Sequence, residues 1–263
     1  ALPIFGEVNL AYPGGCSIGK RPIDGIVRGL EQLGYATKQI DETLAFKGQS
    51  HTNDITVNAY FSVGSTIVLL LAALKRTGIT RIELSAYEPH VMNMIDVLRD
   101  AGADIALRYD HTIIIKPKEL SKHLSGTVIG DYIVSGTLAI IGALTAKDYI
   151  DIHDARIEDL SAFLTSIEKM GVKFEKRDND TLRVYRSKKL KATNIQTNIY
   201  PGFPTDLQSP TAILMSQADG VSKIHEILFE GRLNWLVELE AMRGHIALMN
   251  PHEAMIFGKT PLR

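Results

Sequence analysis

Apolar residues along the chain change their period at regular places. Leu160, Phe163, Leu164 and Ile167 follow a helical repeat, and beyond Gly171 the apolar residues Leu182, Val184 and Tyr185 read as a strand. The same switch occurs in GLEQLGYAT, VLRDAGADIAL, SIEKMGVKFEK and ELEAMRGHIAL, at Gly34, Gly102, Gly171 and Gly244. A glycine suits the position after a helix, where a left-handed backbone is common. The copies are roughly 70 residues apart, too long for a solenoid repeat and right for a small α/β subdomain. Asp178-Asn179-Asp180 reads as a hairpin turn before the strand at Leu182. A second helix is expected in each copy, over Ile67–Leu74 after Ser62-Val63-Gly64-Ser65-Thr66 and over Leu138–Ala146 after Val134-Ser135-Gly136-Thr137. In the last copy Ser209-Pro210 has the form of an N-cap and first-turn pair. The pattern predicts an α/β protein of duplicated helix–strand–helix–strand units with additional strands, the N-terminal copy cut short. A break is expected at 126–131.

Composition narrows the function classes. The chain has 263 residues, 45% hydrophobic and 22% charged, with a formal net charge of -1. That balance offers no basic field for nucleic acid. The apolar runs Ile67 to Leu74 and Ile133 to Ala146 are shorter than the roughly 18 to 20 residues of a membrane span. ALPIFGEVNL lacks the pattern of a secretory signal. One cysteine excludes an intrachain disulfide and fits a reducing compartment. The eight histidines form no metal-ligating motif, so neither a metal nor another cofactor is expected. The chain opens without Met and stops at Arg263 without a closing structural signal, so an excerpt of a longer protein is expected.

Chemistry concentrates in Pro13-Gly14-Gly15-Cys16-Ser17-Ile18-Gly19-Lys20-Arg21-Pro22-Ile23-Asp24. Three glycines free the backbone for a tight or mobile loop around the single thiol and a Lys-Arg pair. A lone cysteine is usually a small buried hydrophobe, whereas Gly, Ser and cationic neighbours suit an accessible, acidified thiol. The loop resembles that of the UDP-N-acetylglucosamine 1-carboxyvinyltransferases, a family of enolpyruvyl transferases. Gly29-Leu30-Glu31-Gln32-Leu33-Gly34, Ser62-Val63-Gly64, Tyr87-Glu88-Pro89, Pro201-Gly202-Phe203-Pro204-Thr205-Asp206-Leu207-Gln208 and Phe229-Glu230-Gly231-Arg232 resemble that family's other motifs, in its order and spacing. The resemblance runs nearly end to end over the middle three-fifths of a family member. It implies repeated βαβαββ units forming inside-out α/β barrel domains, with residues 1–129 in part of the first domain and 130–263 in part of the second.

The resemblance also implies a reaction. The 3-hydroxyl of UDP-N-acetylglucosamine adds to C2 of phosphoenolpyruvate, and phosphate is then eliminated from a tetrahedral intermediate, the first committed step of peptidoglycan synthesis in the cytoplasm. Cys16 is then the general acid toward the enolpyruvyl methylene and the target of fosfomycin. Asp206 is a candidate base at the reacting hydroxyl, against the ordinary role of an Asp before a helix as its cap. Arg21 and Arg232 bind the phosphate and carboxylate of phosphoenolpyruvate. Pro22, Ile23, Asp24 and Gly25 lie on the uridine side, Ser62, Val63 and Gly64 offer helix-start N–H groups to the diphosphate, and Leu228 touches substrate. Only these two small molecules are implied as partners, with no obligate protein partner.

Several positions depart from the family pattern. Tyr60 and Phe61 replace a basic residue, Gly25-Ile26 a Leu-His pair, Tyr87 and His90 an Arg and a Glu, Gly231 an Asn and Trp235 a His. The implied Lys-Asn pair and C-terminal arginines do not occur, so the chain by itself is expected to release no measurable phosphate. A non-catalytic nucleotide-sugar binder is the competing reading. A shikimate-pathway transferase is a further one, opposed by the Gly-Gly-Cys loop. The sequence expectation places the site in a cleft between the two halves.

Overall fold

Alternating apolar residues in short β-branched runs, separated by strongly apolar or amphipathic helical stretches, give strands whose inner faces pack on helices. The structure, a computed structural model, describes residues 2–11, 23–40, 43–49, 51–121 and 124–263. Two compact units divide after Val128. In the first, α1 (Leu2–Phe5), β1 (Glu7–Ala11), α2 (Asp24–Gln32), β2 (Tyr35–Ile40) and β3 (Thr43–Gly48) precede a longer run. That run is β4 (Ile55–Asn58), α3 (Val63–Ala73), β5 (Thr80–Glu83), α4 (Pro89–Asp100), β6 (Asp104–Arg108) and β7 (Thr112–Lys116). The second unit begins α5 (Tyr132–Thr145), β8 (Tyr149–Ile152), a 3-10 turn (Ile157–Leu160), α6 (Ser161–Lys169), β9 (Phe174–Lys176) and β10 (Leu182–Tyr185). It continues β11 (Asn194–Gln196), a 3-10 turn (Thr205–Leu207), α7 (Gln208–Ser216), β12 (Gly220–His225), α8 (Leu236–Ala241), β13 (His245–Asn250) and β14 (Glu253–Gly258).

The sheets show the duplication directly. In the order β4-β5-β7-β6 the first pair is parallel, with α3 as the crossover, and the others are antiparallel. The order β11-β12-β14-β13 repeats this arrangement with α7 as the crossover. Both are βαβαββ copies. The sheets β1-β3-β2 and β8-β10-β9 are antiparallel throughout and lack the leading parallel strand among the described residues. Each unit has its own core. In the first, Leu33, Leu69, Leu70, Ile82, Ile95 and Ile113 are fully buried, and in the second Phe163, Leu160, Ile167, Met170 and Leu182 are.

The landmark glycines close helices as the spacing predicts, with one exception. Gly34, Gly102 and Gly171 have φ of 107°, 98° and 92°. Gly102 and Gly171 donate to Arg99 O and Glu168 O, and Ala103 and Val172 reach back to Leu98 O and Ile167 O, which is the paired closure of a Schellman end. In the last copy the left-handed residue is Arg243, with φ 66°, while Gly244 donates to Leu239 O. Gly244 is required by proximity instead, since a Cβ there would lie 2.6 Å from Leu239 O.

Three helix starts also differ from expectation. Helix α3 begins at Val63, so the small-residue stretch after Ser62 is already helical. Helix α5 begins at Tyr132, because Asp131 accepts from the N–H groups of Ile133 and Val134 and caps it before the Val134–Thr137 segment. Helix α7 follows directly on the turn Thr205–Leu207, so Ser209 and Pro210 lie within its first turn and do not cap it.

Helix contacts in the first unit are close. A Cβ on Gly29 of α2 would lie 2.6 Å from Leu69 Cδ2 of α3. Below this contact Arg76 is buried, and its guanidinium donates to Leu33 O (3.3 Å), Asn53 O (2.5 Å) and Thr80 Oγ1 (2.9 Å). Burial among neutral acceptors lowers its pKa, opposed by Tyr35 and Asp54.

Candidate functional site

Two of the residues expected to act together meet in the second unit. Asp206 stands in the 3-10 turn that leads from β11 into α7, and Arg232 follows β12 in the stretch leading to α8. The Arg232 Nη2 donates to Asp206 Oδ1 in a short ion pair. The Asp206 side chain is 58% exposed and that of Arg232 is 15% exposed. A carboxylate open to solvent therefore leans on a guanidinium that is mostly enclosed. Asp206 makes no capping hydrogen bond to α7, so with Oδ1 on Arg232 its other oxygen, Oδ2, remains available to a hydroxyl. Arg232 keeps further N–H donors in a planar fork suited to a carboxylate. Leu228, four residues earlier, is half-buried and donates its N–H to Glu226 Oε1 at 2.9 Å.

Two residues around this pair were not singled out by sequence reasoning. Glu226 is fully buried and accepts from Thr197 Oγ1 (2.9 Å), Leu228 N (2.9 Å) and Phe229 N (3.3 Å) at Oε1, and from Thr205 Oγ1 (2.6 Å) at Oε2. Gln208 is also fully buried, and its Oε1 accepts from Trp235 Nε1 at 3.2 Å. This contact accounts locally for a tryptophan at position 235, since an indole supplies one donor and a large apolar body. The Gln208 Nε2 has no hydrogen-bond partner among the described residues. A run of His-Glu before an apolar pair, as at His225-Glu226-Ile227-Leu228, gives no local signal of burial.

The first unit gathers a different set. Ser62 caps α3, with Oγ accepting from Ser65 N at 3.2 Å and its carbonyl accepting from Thr66 N. The first N–H groups of a helix have no acceptor within it, which leaves those of Val63 and Gly64 available to an anion. Ile23 and Asp24 lie at the start of α2, where Asp24 is the acidic residue of the first turn. Gly25 places α2 against this same helix start, as a Cβ there would lie 3.0 Å from Ser65 Oγ and 3.4 Å from Tyr60 Cδ2. The structure thus brings Ile23, Asp24 and Gly25 near Ser62, Val63 and Gly64.

Aromatic residues flank this turn. Tyr60 and Phe61 both have φ of 54°, and Phe61 N donates to Leu84 O at 2.6 Å. Phe61 meets the ring of His111 edge-on at 5.3 Å, and Tyr87 lies 4.6 Å from His111 on centroids. Glu88 precedes α4, and its Oε2 is buried without a partner among the described residues. Burial pushes the Glu88 carboxyl above the usual carboxylate range, with its own backbone N–H and the charges of His90 and His111 opposing.

Cys16, Arg21 and Pro22 lie outside the described residues. Among those described, no group of three or more His, Cys, Asp or Glu could hold a metal ion, and no helix is long and apolar enough to cross a membrane.

Comparison with known proteins adds a lineage to this geometry. A family model described as EPSP synthase (3-phosphoshikimate 1-carboxyvinyltransferase) matches residues 2–256. A protein of Caldanaerobacter subterraneus subsp. tengcongensis named UDP-N-acetylglucosamine 1-carboxyvinyltransferase 3 is 37% identical over 241 residues, covering 92% of this chain and 57% of its own. One from Prochlorococcus marinus, UDP-N-acetylglucosamine 1-carboxyvinyltransferase 2, is 35% identical over 100% of this chain and 62% of its own. The chain therefore spans about three-fifths of the length of these relatives. The crystal structure of the enolpyruvyl transferase NikO from Streptomyces tendae aligns with a TM-score of 0.84 at 23% identity, covering 98% of this chain and 61% of that one. EPSP synthase from Acinetobacter baumannii aligns with a TM-score of 0.65 at 17% identity. These two show a shared fold.

Proposed function

From the premise that the chain belongs to the EPSP synthase (3-phosphoshikimate 1-carboxyvinyltransferase) family, we propose that it is part of an enzyme transferring the enolpyruvyl group of phosphoenolpyruvate to the 3-hydroxyl of UDP-N-acetylglucosamine. The observation that carries this reading is the Asp206–Arg232 pair. Asp206 takes the hydroxyl proton as the sugar oxygen bonds to C2 of phosphoenolpyruvate, while Arg232 holds the substrate carboxylate. Cys16 supplies the proton that the methylene carbon accepts. Loss of a proton from the resulting methyl and departure of phosphate then restore the enolpyruvyl double bond. Arg21 binds the phosphate, Leu228 contacts substrate, and the helix starts at Ile23-Asp24-Gly25 and Ser62-Val63-Gly64 take the nucleotide and its diphosphate. Pro22 belongs to the same nucleotide segment.

The names of the relatives support the choice of acceptor. In this reading residues 1–129 and 130–263 are parts of the two enolpyruvyl transferase domains, and the reaction opens peptidoglycan synthesis in the cytoplasm. One observation favours a second reading, a nucleotide-sugar binder without turnover: aromatic Tyr60 and Phe61 stand at the turn where the resemblance implies a basic residue.

Phosphate release by the protein as the cell produces it tests both. Release is expected from phosphoenolpyruvate with UDP-N-acetylglucosamine and not with shikimate 3-phosphate. Fosfomycin is expected to add one adduct, on Cys16, by intact mass. Binding of the sugar nucleotide with no phosphate release would select the second reading. Release with shikimate 3-phosphate alone would overturn both.

A further inference from the structure

We infer that Glu226 is the positioning residue of the Asp206–Arg232 pair, acting through a closed ring of contacts, an inference that rests on the proposed role of that pair. From Glu226 Oε1 the ring passes to Phe229 N at 3.3 Å, and from Phe229 O to Arg232 N at 3.1 Å. The guanidinium of Arg232 reaches Asp206, whose neighbour Thr205 returns to Glu226 Oε2 at 2.6 Å. One buried carboxylate thus grips both arms of the pair, the turn that carries Asp206 and the turn that carries Arg232. A third strand of the brace runs through Thr197, which donates to Glu226 Oε1 and accepts from Ile227 N at 3.1 Å. Glu226 itself is fixed at its backbone, donating to His252 O at 2.8 Å, while His252 Nδ1 lies 2.7 Å from Glu226 O.

A structural role alone would not require this wiring. Glu226 could satisfy its oxygens within one turn, yet its four donors come from three separate segments, 197, 205 and 228–229. Two of those segments end on the pair. A carboxylate is suited to the task because it can accept at both oxygens, about four lone-pair sites in all, without a donor of its own to place. Glutamine retains one such oxygen, and its amide can donate to a Thr205 hydroxyl that has turned to accept. Alanine retains neither oxygen.

The test compares Glu226→Gln, Glu226→Ala and Thr205→Val in the protein as the cell produces it. Two readouts are followed, the Arg232 Nε–Hε resonance, which reports whether the guanidinium is held, and phosphate release. Glu226→Gln is expected to keep the resonance and lose less than tenfold in kcat. Glu226→Ala is expected to broaden the resonance and lower kcat at least 100-fold with a smaller change in KM. Thr205→Val, which removes a single contact, is expected to lower kcat about tenfold and serves if the alanine variant does not fold. A sharp Arg232 resonance with kcat within threefold of wild type in either Glu226→Ala or Thr205→Val would overturn the inference. If the wild-type protein releases no phosphate, the proposed function fails, and the resonance still decides whether Glu226 holds the pair.

Discussion

The two complete βαβαββ copies fill the same topological positions with different groups. In the first unit the chain passes from β4 into α3 through four residues, and Ser62 caps the helix by accepting from Ser65 N. In the second unit the corresponding passage from β11 to α7 is longer, ends in a 3-10 turn, and presents the side chain of Asp206. The turns after the second strand diverge as well. Ser85 N donates to His111 O and Glu226 N to His252 O, each at 2.8 Å, so these two residues occupy matching places. Both histidines also direct Nδ1 at the carbonyl of that residue. Ser85 simply donates to Ile82 O nearby, whereas Glu226 gathers three segments. Duplicated topology therefore matches the backbone places of Ser85 and Glu226, and the side chain at each decides whether one neighbouring carbonyl or three segments are gathered there.

The sharpest way to break this comparison is to remove the charged element. Arg232→Ala is expected to lower kcat/KM for phosphate release about 100- to 1000-fold, the usual effect of losing a preorganised donor. Arg232→Lys should recover little of it, because an ammonium does not reproduce the fork. Steady-state kinetics with phosphoenolpyruvate varied would read this, and an unchanged rate would leave the second copy as uninvolved in chemistry as any capped turn.

The helix ends offer the next contrast. Gly34→Ala is expected to cost about 2 kcal/mol, because φ of 107° is strained for alanine. Its Cβ would also lie 2.8 Å from His51 N. Arg243→Gly, at the C-terminal end of α8 where a side chain occupies the left-handed position, should stabilise by about 0.5 kcal/mol. Urea denaturation of both variants checks the opposite signs.

Ser62→Ala is expected to cost about 1 kcal/mol through the lost cap of α3. Calorimetric titration should show that it binds UDP-N-acetylglucosamine no more than tenfold more weakly, because the backbone donors of Val63 and Gly64 remain.

The smallest effect concerns Glu88, which has a buried oxygen without a partner among the described residues where Glu226 has none. Its folded pKa is raised, so the folded state holds a proton that the unfolded state has released. The stability linked to it is complete below the unfolded carboxylate pKa and is lost as pH rises through the folded value. Glu88→Gln should therefore flatten the wild-type fall in Tm across that interval. Parallel falls in the two proteins would refute the assignment.

Much of this architecture was legible because it is local. The change of period past Gly34, Gly102 and Gly171 marks real helix ends, and Asp178 does turn its hairpin by accepting from the N–H groups of Asp180 and Thr181. Ser209-Pro210 misled because a cap signal carries no information about a 3-10 turn that has already started the helix. Asp131 was overlooked as a cap since the glycine and serine after it read as a turn. Asp206 and Arg232 stood out only through resemblance to a family. Nothing in the spacing of Thr197, Thr205 and Glu226 foretells their meeting, as it depends on a parallel strand pair and the closing of two long connections.

Arg76 has a consequence for how the first unit comes apart. Its side chain spans a junction, taking one acceptor from the end of α2 in the incomplete first repeat, one from Asn53 just before β4, and one from Thr80 in β5 of the complete repeat. Peeling away the smaller piece would cost the guanidinium its bond to Leu33 O and would bare the core that Leu30 and Leu33 share with Leu69 and Leu70, which couples the melting of the two pieces. Repeats that share a core and a bridging guanidinium are one cooperative unit: in hydrogen exchange the amides of α2 and α3 should open in one step.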